Sequence, residues 1–394
     1  MNTRDVGARI RRLRLLAGFG QTEFAERLGT SGGTISKIEN GQVIVDQMLP
    51  SIARELGCTP RFLTDTCVVS PAGRPLLRAY ADASQRVVDR QIADATTAVE
   101  AIKMLDLRLL PDLLPTFESD PSSDYEIERY ATDVRSAAGL SETDVCGNVI
   151  RAAERLGCVV LPMSSELGRR HLGLSTKVDG IPLICVSAGS ATTSSHIPGD
   201  RQRFTVAHEL GHHVLHSHVA PPSTTAESAA LERQAHLFAG AFLAPGEAMM
   251  EELHRRGGRV TLRTLEGIKA DWGISIKALV MRFQALGVVD ADQSRSLHKQ
   301  ISARGWNKNE PVKVGNERAV WFSKALKQWS RGDGRRPLVA ASESLGLGIE
   351  HLYRWTVWST EAPDIATKRT TGITETDGVP EPPSNVIPLD RFRS

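Results

Sequence analysis

Cysteine is scarce and scattered. Five residues (Cys58, Cys67, Cys146, Cys158, Cys185) occur in 394, with no CxxC pair, which excludes a disulfide framework and a cysteine-walled structural metal site. An excess of one charge is also missing: the formal net charge is +2, so no large basic surface is expected. No apolar run reaches the roughly 18 residues of a membrane span. The chain does not open on a leader pattern either, because arginines interrupt its first helical segment. Membrane partners are therefore not expected, and a cytoplasmic protein with reduced thiols is. What remains is ordinary for a folded chain, 41% apolar and 24% charged residues over a length that suits two or three domains.

One segment, RFTVAHELGHHVLHSH, carries chemistry. It contains His208-Glu209-Leu210-Gly211-His212 in a stretch that reads as a helix. At 3.6 residues per turn the two histidines share a face, so both imidazoles can bind one Zn²⁺ while Glu209 projects toward the remaining position. That pattern is the working core of a metallopeptidase. A catalytic zinc takes a third protein ligand and keeps a place for water. His218 has the spacing of an HExxHxxGxxH site, but Leu215 stands where that arrangement needs a chain-turning glycine. Glu232 lies in LERQAHLFAGAFLAP, whose Leu231, Ala235, Phe238, Ala239 and Phe242 recur at helical spacing and predict a second helix beside the first. Glu232 is favoured, giving a His₂Glu set, with His218 and His236 as alternatives. Glu209 is the expected general base. For the group that stabilises the oxyanion, His196, His213, His216, Tyr130 and Arg203 stay open. Packing or capping of the active helix is the plainer role for His213 and His216.

Residues 1–65 form a second readable unit. Val6, Ile10, Leu13 and Leu16 mark one face of an opening helix. QTEFAERLG then predicts a short helix with Phe24, Ala25 and Leu28 inward, ended by Gly29. Thr30-Ser31 caps GGTISKIEN, with Ile35 and Ile38 inward, and MLPSIARELG closes the set through Leu49, Ile52, Ala53 and Leu56. Two helices joined by a tight glycine-containing turn describe a helix-turn-helix. The segment QTEFAERLG-TSGGTISKIENG resembles the XRE-type family of phage-repressor-like domains. The resemblance implies DNA as a partner, with Gln21 and Thr22 touching phosphate and Ser31, Thr34, Ser36 and Lys37 facing the major groove. Gly32 and Gly33 depart from it, standing where the family usually has longer polar side chains. Arg4, Arg9, Arg11, Arg12 and Arg14 supply phosphate-seeking charge, although the unit holds nine Lys/Arg against seven Asp/Glu. A homodimer is what a two-fold symmetric operator would require.

The rest of the chain organises around these units. Residues 66–123 are expected to be a helical connector, with VVSPAGRP as a hinge and a helix from Leu76 to about Leu110. Residues 124–310 begin with helices around Ile127–Ala138 and Gly147–Leu156. CVVLPM and LGLSTKVDGIPLICVS then predict a small antiparallel sheet whose VDG turn makes a hairpin and whose strands wall the cleft. Residues 311–359 are expected to be a helical subdomain, with one helix through Trp321, Phe322, Ala325, Leu326 and Trp329 and another over Leu338–Trp358. Residues 360–394 read as a disordered tail. The fold class is mainly α with a small antiparallel sheet (α+β), an all-α helix-turn-helix unit beside a zincin-like (gluzincin) peptidase unit.

The stretch from about 124 to 310 resembles the ImmA/IrrE family of metallo-endopeptidases. The likeness rests on GDRQRFTVAHELGHHVLH, LERQAHLFAGAFLAP, WGISIKALVMRFQALGVV and ISARGWNKNEP, four blocks in order. It implies Zn²⁺ at His208 and His212, with Glu209 catalytic, and agrees with Glu232. Gln234 and His236 depart from the family pattern around the second block. In proteins of this kind the peptidase cleaves a repressor after a stress or induction signal. The expectation is a DNA-associated regulatory zinc endopeptidase acting on a repressor or antitoxin-like regulator. The alternative is an XRE-family transcription regulator or antitoxin whose zinc domain senses a ligand or partner without proteolysis.

Overall fold

The computed structural model describes residues 2–43, 46–70, 85–117, 120–163, 173–187, 197–220, 222–356 and 358. The amino-terminal unit contains α1 (Thr3–Ala17), α2 (Gln21–Arg27), α3 (Gly32–Glu39), α4 (Leu49–Glu55) and α5 (Pro60–Thr64). Asn2 caps α1 by accepting from the Arg4 amide, and Gly18 ends it at φ 83°. Every position assigned inward is buried except Leu28, which packs part-exposed against the same core. Gly7 has a steric reason: a Cβ there would fall 2.3 Å from the Ile38 carbonyl oxygen, so α1 and α3 meet backbone to backbone. The short α5 lies beyond the sequence reading. Thr59 caps it by accepting from the Phe62 amide, and Pro60 opens it.

The predicted connector contains a central helix. In α6 (Gln85–Met104) every residue from Ala93 to Ile102 is buried, because small Ala and Thr side chains let neighbours approach on opposite sides. The first part of the expected helix, 76–84, lies outside the described residues, and Asp106 turns the chain at φ 49° just past its end. One side of α6 packs on α1, and the other meets the sheet.

That sheet contains β1 (Val159–Pro162), β2 (Gly173–Val178) and β3 (Ile181–Val186) in the order β1-β3-β2. The hairpin is as expected, with Asp179 (φ 50°) and Gly180 (φ 83°) in the left-handed turn that matches strand twist. The sheet is mixed, however, because β1 runs parallel to β3. The chain reverses between β1 and β2 and again at the turn, so the first and third strands point the same way once apolar β3 takes the centre. Side-chain alternation gives the sheet two faces. Val159, Leu161, Leu174, Leu183 and Cys185 join the core of the amino-terminal unit and α6. Val160, Ile184 and Val186 join the core of the helices that follow.

Those helices are α7 (Asp124–Ala137) and α8 (Val149–Leu156) before and around the sheet, then α9 (Gly199–Leu215), α10 (Thr225–Leu243), α11 (Gly246–Arg255), α12 (Leu262–Trp272), α13 (Ile276–Ala285) and α14 (Ala291–Ala303). A final group, α15 (Trp321–Trp329), α16 (Pro337–Leu345) and α17 (Ile349–Thr356), returns to the amino-terminal core. Gly346, at φ 71°, splits the single helix expected over 338–358. The tail from 360 lies outside the described residues. No helix among the described residues is long and apolar enough to cross a membrane, and all five cysteines are free.

Candidate metal centre and reading helix

The HELGH segment occupies the carboxy-terminal half of α9, and α10 packs along it. Gly211 allows the approach: a Cβ there would lie 2.9 Å from Cδ1 of Phe238 on α10. Three side chains converge across this contact. His208 Nε2 is 3.1 Å from His212 Nε2, Glu232 Oε2 is 3.2 Å from His208 Nε2, and Glu232 Oε1 is 3.5 Å from His212 Nε2. Tetrahedral ligands held about 2.0–2.1 Å from a zinc ion lie roughly 3.3 Å from one another, so these atoms have the spacing of three corners around such an ion. The donor set, two imidazoles and one carboxylate, suits zinc and leaves a corner open. Burial works against charge on Glu232, but the neighbouring His208 and His212 imidazoles hold its carboxyl well below the usual range.

Of the alternatives for the third ligand, one turns away and one stays beside the centre. His218 turns to Asp120, at 3.3 Å. His236, one turn beyond Glu232, has a ligand-capable atom within 4.8 Å of His208 and Glu232, so it stands beside the same centre. His236 Nδ1 donates to the Glu232 carbonyl at 2.9 Å, and its ring stands edge-on to His208 with centroids 4.5 Å apart.

A relay behind His212 sets its tautomer. The Gln234 amide oxygen accepts from His216 Nε2 at 2.9 Å, which leaves His216 Nδ1 to accept from His212 Nδ1–H, also at 2.9 Å. His212 Nε2 is then the lone-pair nitrogen, turned to the shared centre. Burial pushes the His216 pKa down to about 4, with the neighbouring His212 adding to the effect, so His216 is neutral. Gln234 thus acts through two rings.

Glu209 is buried under the hairpin. The Ser175 hydroxyl on β2 donates to Glu209 Oε2 at 2.7 Å. A side chain at Gly173 on the same strand would collide with Glu209 Cγ and Oε1, each 2.8 Å from an ideal Cβ. Sequence reasoning missed both residues. Their one signal was the alternation of LGLSTKV, which puts 173 and 175 on one face of a strand.

The oxyanion candidates are committed elsewhere. His213 donates through Nε2 to the Leu183 carbonyl at 2.8 Å, tying α9 to β3, and burial lowers its pKa to about 4. Arg203 is a buried strut, bonded to Glu317 and to the carbonyls of Cys146 and Gly147. The Tyr130 hydroxyl donates to Glu126 at 2.8 Å, with its ring stacked on Phe117. His216 serves the relay. His196 lies outside the described residues.

In the amino-terminal unit, Gln21, Thr22, Ser31 and Lys37 are exposed, while Thr34 and Ser36 are half-buried. Ser31 caps α3 by accepting from the Thr34 amide. The Gln21 amide donates to Glu39 at 2.8 Å, leaving its second hydrogen for a phosphate. The arginine count misled. Arg14 is buried against Glu39, and Arg9 and Arg12 both pair with Glu100 on α6. Of the five arginines read as phosphate-seeking, only Arg4 and Arg11 are exposed. Nothing crowds Gly32 or Gly33, whose ideal Cβ atoms would meet only ordinary contacts at 3.8 Å or beyond.

Comparison with known families agrees with this division. A family described as a helix-turn-helix domain matches residues 5–66, and a peptidase family described as the IrrE N-terminal-like domain matches residues 153–284. No curated protein and no solved structure gives a significant match. The second match spans β1 to α13 and so takes in both HELGH and Glu232. The chain carries an XRE-like helix-turn-helix domain joined to an IrrE N-terminal-like peptidase domain.

Proposed function

We propose that this protein is a cytoplasmic, DNA-associated zinc metallo-endopeptidase that cleaves a transcriptional repressor or a related regulator. The observation that carries the reading is the meeting of His208, His212 and Glu232 at 3.1–3.5 Å beside a buried Glu209. Zinc held there would lower the pKa of a bound water from about 15.7 toward about 7 and polarise the scissile carbonyl. Glu209 takes the proton of the attacking water and delivers it to the leaving nitrogen as the C–N bond breaks. Ser175 holds one oxygen of that carboxylate, leaving the other to take the proton. The helix-turn-helix unit brings the peptidase to an operator or to a repressor partner, with Gln21 and Thr22 on phosphate and Ser31, Thr34, Ser36 and Lys37 toward the groove. With glycine at 32 and 33, α3 presents little to base edges, which favours a locating role.

The test is co-expression of the intact chain or its Glu209→Gln variant with the repressors encoded in the same genome. Loss of repressor is expected only with the intact chain, and equal survival in both rejects the peptidase role. One observation favours a second reading, a regulator or antitoxin that senses without cleaving: His236 stands close enough to His208 and Glu232 to supply a fourth protein ligand and close the site. Absorption spectra of the Co²⁺-substituted protein and its His236→Ala variant separate the two. Identical spectra keep the site open; a ligand-field change marks it closed.

A further inference from the structure

Residues 49–63 and 338–352 are built alike. On α4, Leu49, Ile52 and Leu56 face inward; on α16, Leu338, Ala341 and Leu345 recur at the same spacing and pack on the same core. Each helix stops at a left-handed glycine, Gly57 at φ 65° and Gly346 at φ 71°. At the same distance past each glycine, a wholly buried leucine, Leu63 or Leu352, sits on the helix that follows.

The two segments also face each other. The Thr59 amide donates to the Gly346 carbonyl and the Gly348 amide to the Gly57 carbonyl, each at 2.7 Å, framing an antiparallel bridge between Cys58 and Leu347. Thr59 corresponds to Gly348 and Gly57 to Gly346, so equivalent positions donate and accept on both sides. Reciprocity of this kind belongs to a two-fold contact between identical surfaces. Each glycine is covered from across the contact, Gly346 by Thr59 and Gly57 by Glu350. At the position of Arg61 the second segment has Glu350. The two segments therefore differ in charge at this equivalent position.

We propose that α16 and α17 stand in for a second copy of α4 and α5. The helix-turn-helix unit is closed by an internal mimic of its own self-complementary face, so each chain presents one reading unit. That face accepts the α4–α5 segment of another chain when the mimic is displaced. The two-fold dimer expected from a symmetric operator is then replaced by a contact within the chain.

A cross-link in the full-length protein tests the first half. Cys58 and Leu347 form a non-hydrogen-bonded antiparallel pair, whose Cα atoms lie about 4.5 Å apart, within disulfide reach. With Leu347→Cys on a Cys67→Ser background, mild oxidation should link position 347 to Cys58 within one chain, seen as a monomer on a non-reducing gel and as one linked peptide pair by mass spectrometry. An interchain band, or no link, overturns the assignment. The second half is tested with Gly346→Val in the full-length protein, which combines an unfavourable φ with a side chain driven into Thr59. Light scattering should give a discrete species of twice the wild-type mass. A mass unchanged from wild type, or aggregate without a discrete dimer, overturns the claim that the face fits its own copy.

Discussion

Removing the amide of Gln234 should loosen the metal without touching any ligand. In Gln234→Leu the volume is nearly kept, but the Nε2–H of His216, which is 1% exposed, loses its acceptor. A buried donor left unpaired costs about 1–3 kcal/mol. His216 can relieve that cost by moving its proton to Nδ1, where it faces Nδ1–H of His212 at 2.9 Å. Two donors cannot share that line, so His212 is pushed toward the tautomer whose Nε2 carries hydrogen and cannot bind a cation. The loss of such a supporting partner weakens metal binding about 10–100-fold, or about 1.4–2.7 kcal/mol. Competition against a chromophoric zinc chelator at fixed pH measures it. Gln234→Glu keeps an acceptor and makes the imidazoles more basic, so its affinity should equal or exceed wild type. Wild-type affinity in Gln234→Leu, or equal weakening in both variants, refutes the relay.

Glu232→Ala should lose bound metal by mass spectrometry of the purified protein while His218→Ala keeps it; the reverse result moves the third ligand to His218. Glu100→Ala strips the carboxylate paired with both Arg9 and Arg12. Arg9 keeps the carbonyls of Leu63, Asp65 and Cys67, but loss of the counter-charge costs about 3–5 kcal/mol in urea unfolding, and a loss under about 1 kcal/mol would count against the burial argument. His351 is held down to about 4 by burial and then by Arg354, against the pull of Glu350 and the Leu56 carbonyl. Arg354 in turn pairs with Asp94. Its folded pKa lies below the unfolded value of about 6.5, so the unfolded chain binds more protons between those limits. Its contribution is whole above about pH 6.5 and lost as pH falls toward about 4, roughly 3 kcal/mol in all. His351→Gln should flatten the stability–pH curve in that window, and a slope equal to wild type would show that His351 is not buried neutral.

The meeting of His208, His212 and Glu232 was legible because helical spacing puts His208 and His212 on one face, and the apolar period around Glu232 called for a partner helix. Ser175 and Gly173 were not, since their meeting with Glu209 depends on which way a distant hairpin packs. Composition could count five arginines but not tell which would turn inward, as that depended on Glu39 and on Glu100, eighty-eight residues from Arg12. The role of α6 escaped for a similar reason. The stretch read as a helical connector, yet small alanine and threonine side chains are what a helix needs when it is squeezed from both sides. Gln234 stood out as a departure from the family pattern, but its purpose appears only when His216 is seen between it and His212.

Because α1 and the rear of the sheet both rest on α6, the strand that steadies Glu209 and the unit that would sit on DNA share one slab of packed side chains. The reading head is therefore no cassette. Grafting a foreign one would strip cover from the back of the sheet, and heating would melt head and sheet in a single cooperative event.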